Sequence, residues 1–337
     1  MGLGAARALT IGSDTVVLVV GASSGIGRAT ARALAGRGAS LVLAARSLES
    51  LTETEHECLQ QSKGSGATLV VPTDIGDGAA VDALFEAAVA RFGRVDAVVS
   101  SAATVAYGRF EDVPAAVFDQ VMRTNLIGTA NVARASLRQF AAQGGGSLVL
   151  VGSLLGKIGT PFMSSYVTSK WAVHGLARVL QIEARERPGT HVSLISPGGV
   201  DTPVYHQGAN YVGREGRPPP PVDSPEKVAR AVVRALERPA REVSVGLANP
   251  LIVIGSRFLP GVYDALVLPL MKVGGLSRTP VQPHEGNVFA PLGDGDAVHG
   301  KWGRHWLRGV AAGVLTGAGA AADTTVGALA ARARQAP

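Results

Sequence analysis

From residue 15 to about residue 246, short runs that are almost wholly Val, Leu, Ile and Ala alternate with longer stretches of spaced apolar positions. The runs at 15–20, 40–45, 68–72, 96–101, 147–153, 191–196 and 242–246 predict strands. Apolar residues at successive positions suit strands buried on both faces rather than on one. The stretches 25–37, 48–61, 79–92, 114–143, 162–187 and 225–237 predict helices. Regular alternation of this kind specifies right-handed crossovers, and so an α/β doubly wound sheet of seven mainly parallel strands flanked by helices. The rhythm breaks at 199–223, which holds Gly208, Gly213, Gly216 and the run Pro218 to Pro221 before Ser224-Pro225-Glu226 opens a helix. A loop this long after the sixth strand, at a carboxyl end of the sheet, is expected to be a lid over a site.

Beyond residue 246 the pattern changes. Residues 249–273 are strongly apolar, 276–303 are rich in Pro and Gly, and 306–334 are rich in Ala and Gly, a poor composition for a helix. The predicted division is a catalytic domain over 12–248 and an extension over 249–337, with the last 20 to 30 residues loosely held.

Composition narrows the classes. Of 337 residues, 46% are hydrophobic and 17% charged, enough apolar material for a large core. Cys58 is the single cysteine, which excludes an intramolecular disulfide framework and a cysteine-cluster metal site, and no metal is expected. The net charge of +6 comes from scattered basic residues rather than from a run, so nucleic acid is not an expected partner. The first residues lack the apolar core of a signal peptide, and no ~18-residue apolar run suggests a spanning helix, so a cytoplasmic protein is expected.

The first predicted strand runs into Gly21-Ala22-Ser23-Ser24-Gly25-Ile26-Gly27 and then a helix. Gly21 allows a tight turn, Gly25 lets backbone approach a pyrophosphate, and Gly27 lets helix and strand pack closely. The helix N-terminus supplies amide donors and a partial positive charge. In this position the loop predicts dinucleotide binding. The second strand ends Ala45-Arg46, where a carboxylate would select the ribose 2′-hydroxyl of NAD. A guanidinium there instead favours a 2′-phosphate through charge-assisted bonds, so NADP(H) is expected over NAD(H), which remains admissible.

Ser153 closes the fifth run, and Tyr166 and Lys170 follow at i and i+4 on one helix face. An ammonium beside a phenol lowers its pKa toward usefulness as a general acid or base. Ser153 is placed to donate to a developing alkoxide, and Asn125 to hold a water linking Lys170 to solvent. Taken singly, each of these residues is more often a packing or capping group. In order they resemble the short-chain dehydrogenase/reductase family over about 15–246, through Gly21-x3-Gly25-x-Gly27, Asp74, Asn125-Leu-x-Gly, Ser153, Tyr166-x3-Lys170 and Pro197-Gly198. The resemblance implies a single-domain, Rossmann-like fold. It further implies that Asp74 and Ile75 lie against adenine and that Pro197, Gly198 and Val200 line the nicotinamide. Thr202 then meets its carboxamide, and Lys170 holds the nicotinamide ribose. One motif departs: where the family has Asn-Asn-Ala-Gly, this chain reads Ser100-Ser101-Ala102-Ala103, with Ser100 and Ala102 left to contact the cofactor through backbone. Ala103 would not take a positive φ as readily as Gly.

The expected activity is NADP(H)-dependent interconversion of a carbonyl and an alcohol, with Tyr166 as proton donor and acceptor. The alternative is a catalytically silent, NADP-sensing interaction protein. Leu154, Leu155, residues 105–110 and the 199–223 loop are expected to face a small hydrophobic substrate. The stretch 249–273 is open to three readings: an appended helix packed on the domain or a second subunit, a peripheral membrane contact, or a pocket cover. Family resemblance implies a homodimer or homotetramer built through 114–143 and 162–187.

Overall fold

All seven apolar runs become strands of one sheet in the computed structural model, which describes residues 9–303 apart from 63, 293 and 294. The expected behaviour of the last 20 to 30 residues, and of 306–334, lies outside the described residues. In chain order the sheet and its covering helices are β1 (Val16–Val20), α1 (Gly25–Ala35), β2 (Ser40–Ala45), α2 (Leu48–Ser62), β3 (Thr68–Pro72), α3 (Gly78–Phe92) and β4 (Ala97–Ser100). They continue as α4 (Ala115–Met122), α5 (Thr129–Gln143), β5 (Gly146–Val151), α6 (Ser164–Glu183), β6 (Thr190–Pro197), α7 (Pro225–Glu237) and β7 (Glu242–Val245). The strand order is β7-β6-β5-β4-β1-β2-β3, and every ladder is parallel. The order reverses between β1 and β4, and the crevice at their carboxyl ends is where such sheets bind ligands.

Unbroken apolar runs are explained by two cores. Val17, Val19, Leu41, Leu43 and Val99 pack beneath α1, α2 and α7, while Val16, Leu18, Val20, Val98 and Leu148 pack beneath α3, α5 and α6. Local signals set the helix ends. Asp77 accepts from the Ala79 amide to start α3, and Ser224 accepts from the Lys227 amide to start α7, with Pro225 in its first turn.

Two segments differ from the expected elements. The stretch 114–143 is not one regular helix: α4 and α5 are joined by a π-helical turn at Arg123–Gly128, in which Thr124, Asn125 and Gly128 are buried. The 199–223 loop is ordered by short pairings. Ala209–Asn210 joins Ala106–Tyr107, Val222–Asp223 joins Gly199–Val200, and Arg214–Gly216 joins Leu276–Pro280.

The apolar extension forms α8 (Asn249–Phe258) and α9 (Pro260–Leu270), separated where Pro260 begins the second helix. Asn249 fastens α8 to the sheet edge. It is 4% exposed, and its Nδ2 donates to the carbonyls of Val245 (3.0 Å) and Ser196 (3.3 Å) and to Ser244 Oγ (3.1 Å).

Candidate active site

The glycine loop occupies the β1–α1 turn at the switch point. Gly21 has φ +83°, and a Cβ there would lie 2.6 Å from the Ala102 nitrogen. Gly27 faces Gly21 so closely that a Cβ would come within 2.0 Å of its carbonyl oxygen, and Gly25, at φ +52°, abuts Thr202. Each expected glycine therefore sits where a side chain would strain the backbone or close the cradle. The departing segment proves harmless to the backbone. Ser101 Oγ donates to the Val20 carbonyl at 2.7 Å, and Phe162 is the one non-glycine residue with positive φ among the described residues, so Ala103 is not strained. Ser100 Oγ is buried without a partner.

Ser153 ends the β5 segment, and Tyr166 and Lys170 project from α6 beside it. Ser153 and Tyr166 line the same cavity, the Ser153 hydroxyl favouring the ionised phenol, and the Lys170 ammonium lies 5.5 Å from the centre of the Tyr166 ring. Lys170 is 3% exposed and donates to the Val151 carbonyl at 3.0 Å. The electrostatics differ from the expected depression of the phenol. Burial pushes Tyr166 up to about 12 despite the opposing effect of the Ser153 hydroxyl, and burial lowers Lys170 to about 8. Asn125 is fully buried. Its Oδ1 accepts from the Thr104 amide at 2.8 Å, and its Nδ2 donates to the Thr104 carbonyl and to Ser169 Oγ at 2.9 and 3.0 Å. Its side chain thus ties the segment after β4 to α6, which braces the helix carrying Tyr166 and Lys170.

These groups meet in one cavity of about 740 Å³. It is lined by Ser23, Ser24, Gly25, Ile26, Gly27, Arg46, Asp74, Ile75, Ala102, Ser153, Tyr166, Lys170, Pro197, Gly198, Val200 and Thr202. Asn125 and Ser100 are buried just behind its wall. Of the residues expected to face a substrate, Leu154, Leu155, Val105 and Tyr107 line the cavity, whereas Phe110 is 69% exposed and points elsewhere.

Two groups of lining residues, Thr124 and the pair Asn287 and Asp296, went unrecognised in the sequence, and a third falls in 249–273, where a pocket cover was one of three readings. Thr124 carries a buried, unpartnered hydroxyl in the cavity wall. Ile252, Leu259, Val262 and Leu266 make α8 and α9 an apolar wall. Asn287 and Asp296 reach the cavity from the far end of the chain. Arg46 also differs from the expected free cation, since it donates to the carbonyls of Asn287 (2.5 Å) and Val288 (3.2 Å). Behind the site, His174, one turn beyond Lys170, lies 3.5 Å from Ser196 Oγ.

Residues 15–210 match the family described as short chain dehydrogenase. An uncharacterised oxidoreductase of Bacillus subtilis, YxnA, is 33% identical over 298 residues, covering 88% of this chain and 83% of its own. That span is longer than the part of the chain preceding α8, so the likeness runs into the extension. Among solved structures, an alcohol dehydrogenase from the archaeon Thermococcus sibiricus, complexed with 5-hydroxy-NADP, is 29% identical with a TM-score of 0.59, over 68% of this chain and 95% of its own. A short chain dehydrogenase from Mycobacterium paratuberculosis, bound to NAD, is 25% identical with a TM-score of 0.61, over 70% and 97%. With the glycine cradle, the Ser153–Tyr166–Lys170 cluster and these likenesses agreeing, the chain belongs to the short-chain dehydrogenases and is an oxidoreductase of that class.

Proposed function

We propose that the protein interconverts a hydrophobic ketone or aldehyde and its alcohol using NADP(H), with Tyr166 moving the proton. The observation that carries this reading is the convergence of Ser153, Tyr166 and Lys170 on one largely apolar cavity, with the Lys170 ammonium 5.5 Å from the Tyr166 ring. The residues present fit a nicotinamide dinucleotide. The glycines leave a cradle that any Cβ would fill, and the orphaned Thr124 hydroxyl offers a polar contact beside it. Solved relatives hold an NADP derivative and NAD, which supports a nicotinamide cofactor, and Arg46 supports the phosphorylated form. Such a cofactor supplies or accepts the hydride.

In reduction, the Ser153 and Tyr166 hydroxyls hydrogen-bond the substrate carbonyl oxygen, and Tyr166 Oη gives it a proton as negative charge develops. In oxidation the same oxygen takes the proton back. Lys170 stabilises the phenolate so formed, and Asn125 holds α6 against the segment after β4. The apolar side chains of α8 and α9 that border the cavity receive the hydrophobic part of the substrate.

Two surface assignments belong to the same reading. Trp171, Val179 and Ile182 on α6, with Ile127 in the π turn, leave exposed apolar area that fits a homodimer or homotetramer. Leu251, Ile254, Phe258 and Val262 on α8 and α9 form a second exposed apolar surface, which fits peripheral membrane contact; no described helix is long and apolar enough to cross a bilayer. Flotation of the full chain with phospholipid vesicles tests the latter. Phe258→Glu should reduce the floated fraction, and no flotation by the parent chain would discard the assignment.

The central test is Tyr166→Phe. The variant should lose at least about a hundredfold in kcat while its Kd for NADPH stays within about threefold of the parent. Equal turnover in variant and parent would remove Tyr166 as the proton donor.

A further inference from the structure

Two described stretches of the extension, 284–292 and 295–302, lie across one end of the cofactor cleft, and both are firmly seated. Val288 is fully buried among Ala106, Val117, Val121 and Ala209. Val298 is buried between Ala29 of α1 and Ala229 of α7. The Asn287 amide donates to the Gln207 carbonyl at 2.8 Å, and Asn287 Oδ1 accepts from Thr104 Oγ1 at 2.8 Å. Further along, the Gly300 amide donates to the Asp201 carbonyl at 3.2 Å and the Trp302 amide to Asp201 Oδ1 at 3.0 Å.

Between these anchors, the segment takes up groups that a dinucleotide would use. The Gly25 amide, in the first turn of α1, donates to the Ala297 carbonyl at 2.8 Å. Both terminal nitrogens of Arg46 donate to the Asn287 and Val288 carbonyls. Arg28 Nη1, from the first turn of α1, donates to the Asp296 carbonyl at 3.2 Å, and the Asp296 carboxylate accepts from Gln207 Nε2 at 2.8 Å. Asp74 and Asp296 both act on Arg46 through their charge. A free 2′-phosphate pocket would present a guanidinium with open donors, whereas this one is closed by neutral carbonyls and faces two carboxylates.

We infer that these two stretches are a strap belonging to the dinucleotide site, holding Arg46 and the Gly25 amide until the cofactor's phosphates displace them, and so governing how fast NADP(H) enters and leaves. The exchange is chemically favourable in one direction. A phosphate forms charge-assisted, bidentate bonds with a guanidinium that a pair of backbone carbonyls does not match. NAD(H), with a hydroxyl at that position, has no equivalent means of releasing Arg46. The inference rests on the NADP(H) reading above and adds the part of the chain that controls access.

Stopped-flow fluorescence of NADPH with the full chain and with Val298→Asp tests it. A carboxylate placed between Ala29 and Ala229 undocks the strap, and both association and release of NADPH should accelerate by roughly tenfold or more. Because a buried carboxylate also costs stability, hydrogen exchange on the unmodified chain gives an independent readout: protection across 284–292 and 295–302 should change on saturation with NADPH, and less with NADH. Parent-like rates in a folded variant, or identical exchange with and without NADPH, overturn the strap and leave the cofactor assignment standing. Failure of both proteins to bind either dinucleotide overturns the cofactor assignment and the strap together.

Discussion

Tyr166 and Lys170 are held in opposite protonation pressures by the same cause. Burial raises Tyr166 to about 12 and lowers Lys170 to about 8, so the phenol keeps its proton at neutral pH and suits donation to a carbonyl. The lysine shift carries a stability consequence whose sign is fixed. A lysine that titrates near 10.5 in the unfolded chain and near 8 in the folded one destabilises the native state fully below pH 8. That penalty fades as pH rises from about 8 to 10.5. Lys170→Met should therefore be more stable than the parent at pH 7, by at most about 3–4 kcal/mol at ~1.4 kcal/mol per unit, with the gap closing toward pH 10.5. Urea unfolding at pH 7 and pH 10 measures it, and a gap that widens with pH would refute it. The positions of Ser153, Tyr166 and Lys170 were legible because a strand end and an i, i+4 pair are local patterns. The partners of Arg46 were not, since Asn287 and Val288 are some 240 residues away and carry no local mark of the contact.

Elements were legible where one period dominated. The seven strands needed only unbroken apolar runs, and α7 needed its Ser-Pro-Glu start and amphipathic face. The π turn at Arg123–Gly128 escaped because it arises from the tertiary demands of Asn125, whose side chain must reach Thr104 and Ser169 at once. The glycine loop shows the opposite case, in which three residues state the packing outright. A methyl on Gly27 would meet the Gly21 carbonyl, so Gly27→Ala must push α1 away from β1. We expect a loss of about 1–3 kcal/mol in stability and a weaker Kd for NADPH, read by thermal unfolding and fluorescence titration. An unchanged Kd would mean that helix and loop separate without disturbing the cradle.

For the whole molecule, the extension was legible as apolar and proline-broken, with a pocket cover only one of three readings that the pattern left open. Hydropathy reports that α8 and α9 are apolar without saying what they cover, and here Ile252, Leu259, Val262 and Leu266 border the cavity although the last three, like Leu251 and Phe258, stay more than half exposed. The cavity of about 740 Å³ is bordered on the α8 and α9 side by Ile252, Leu259, Val262 and Leu266, side chains without hydrogen-bonding groups. On the proposed reading, that side contributes to substrate selection through apolar area. Across a series of straight-chain methyl ketones, each added methylene should improve kcat/KM by about fourfold, the equivalent of roughly 0.8 kcal/mol per buried CH2, until the chain outgrows the wall formed by α8 and α9. Leu266→Arg places a charge in that wall and should flatten the series while leaving the shortest ketone nearly unaffected. A flat series in the parent enzyme would show that the substrate's apolar part never reaches the extension.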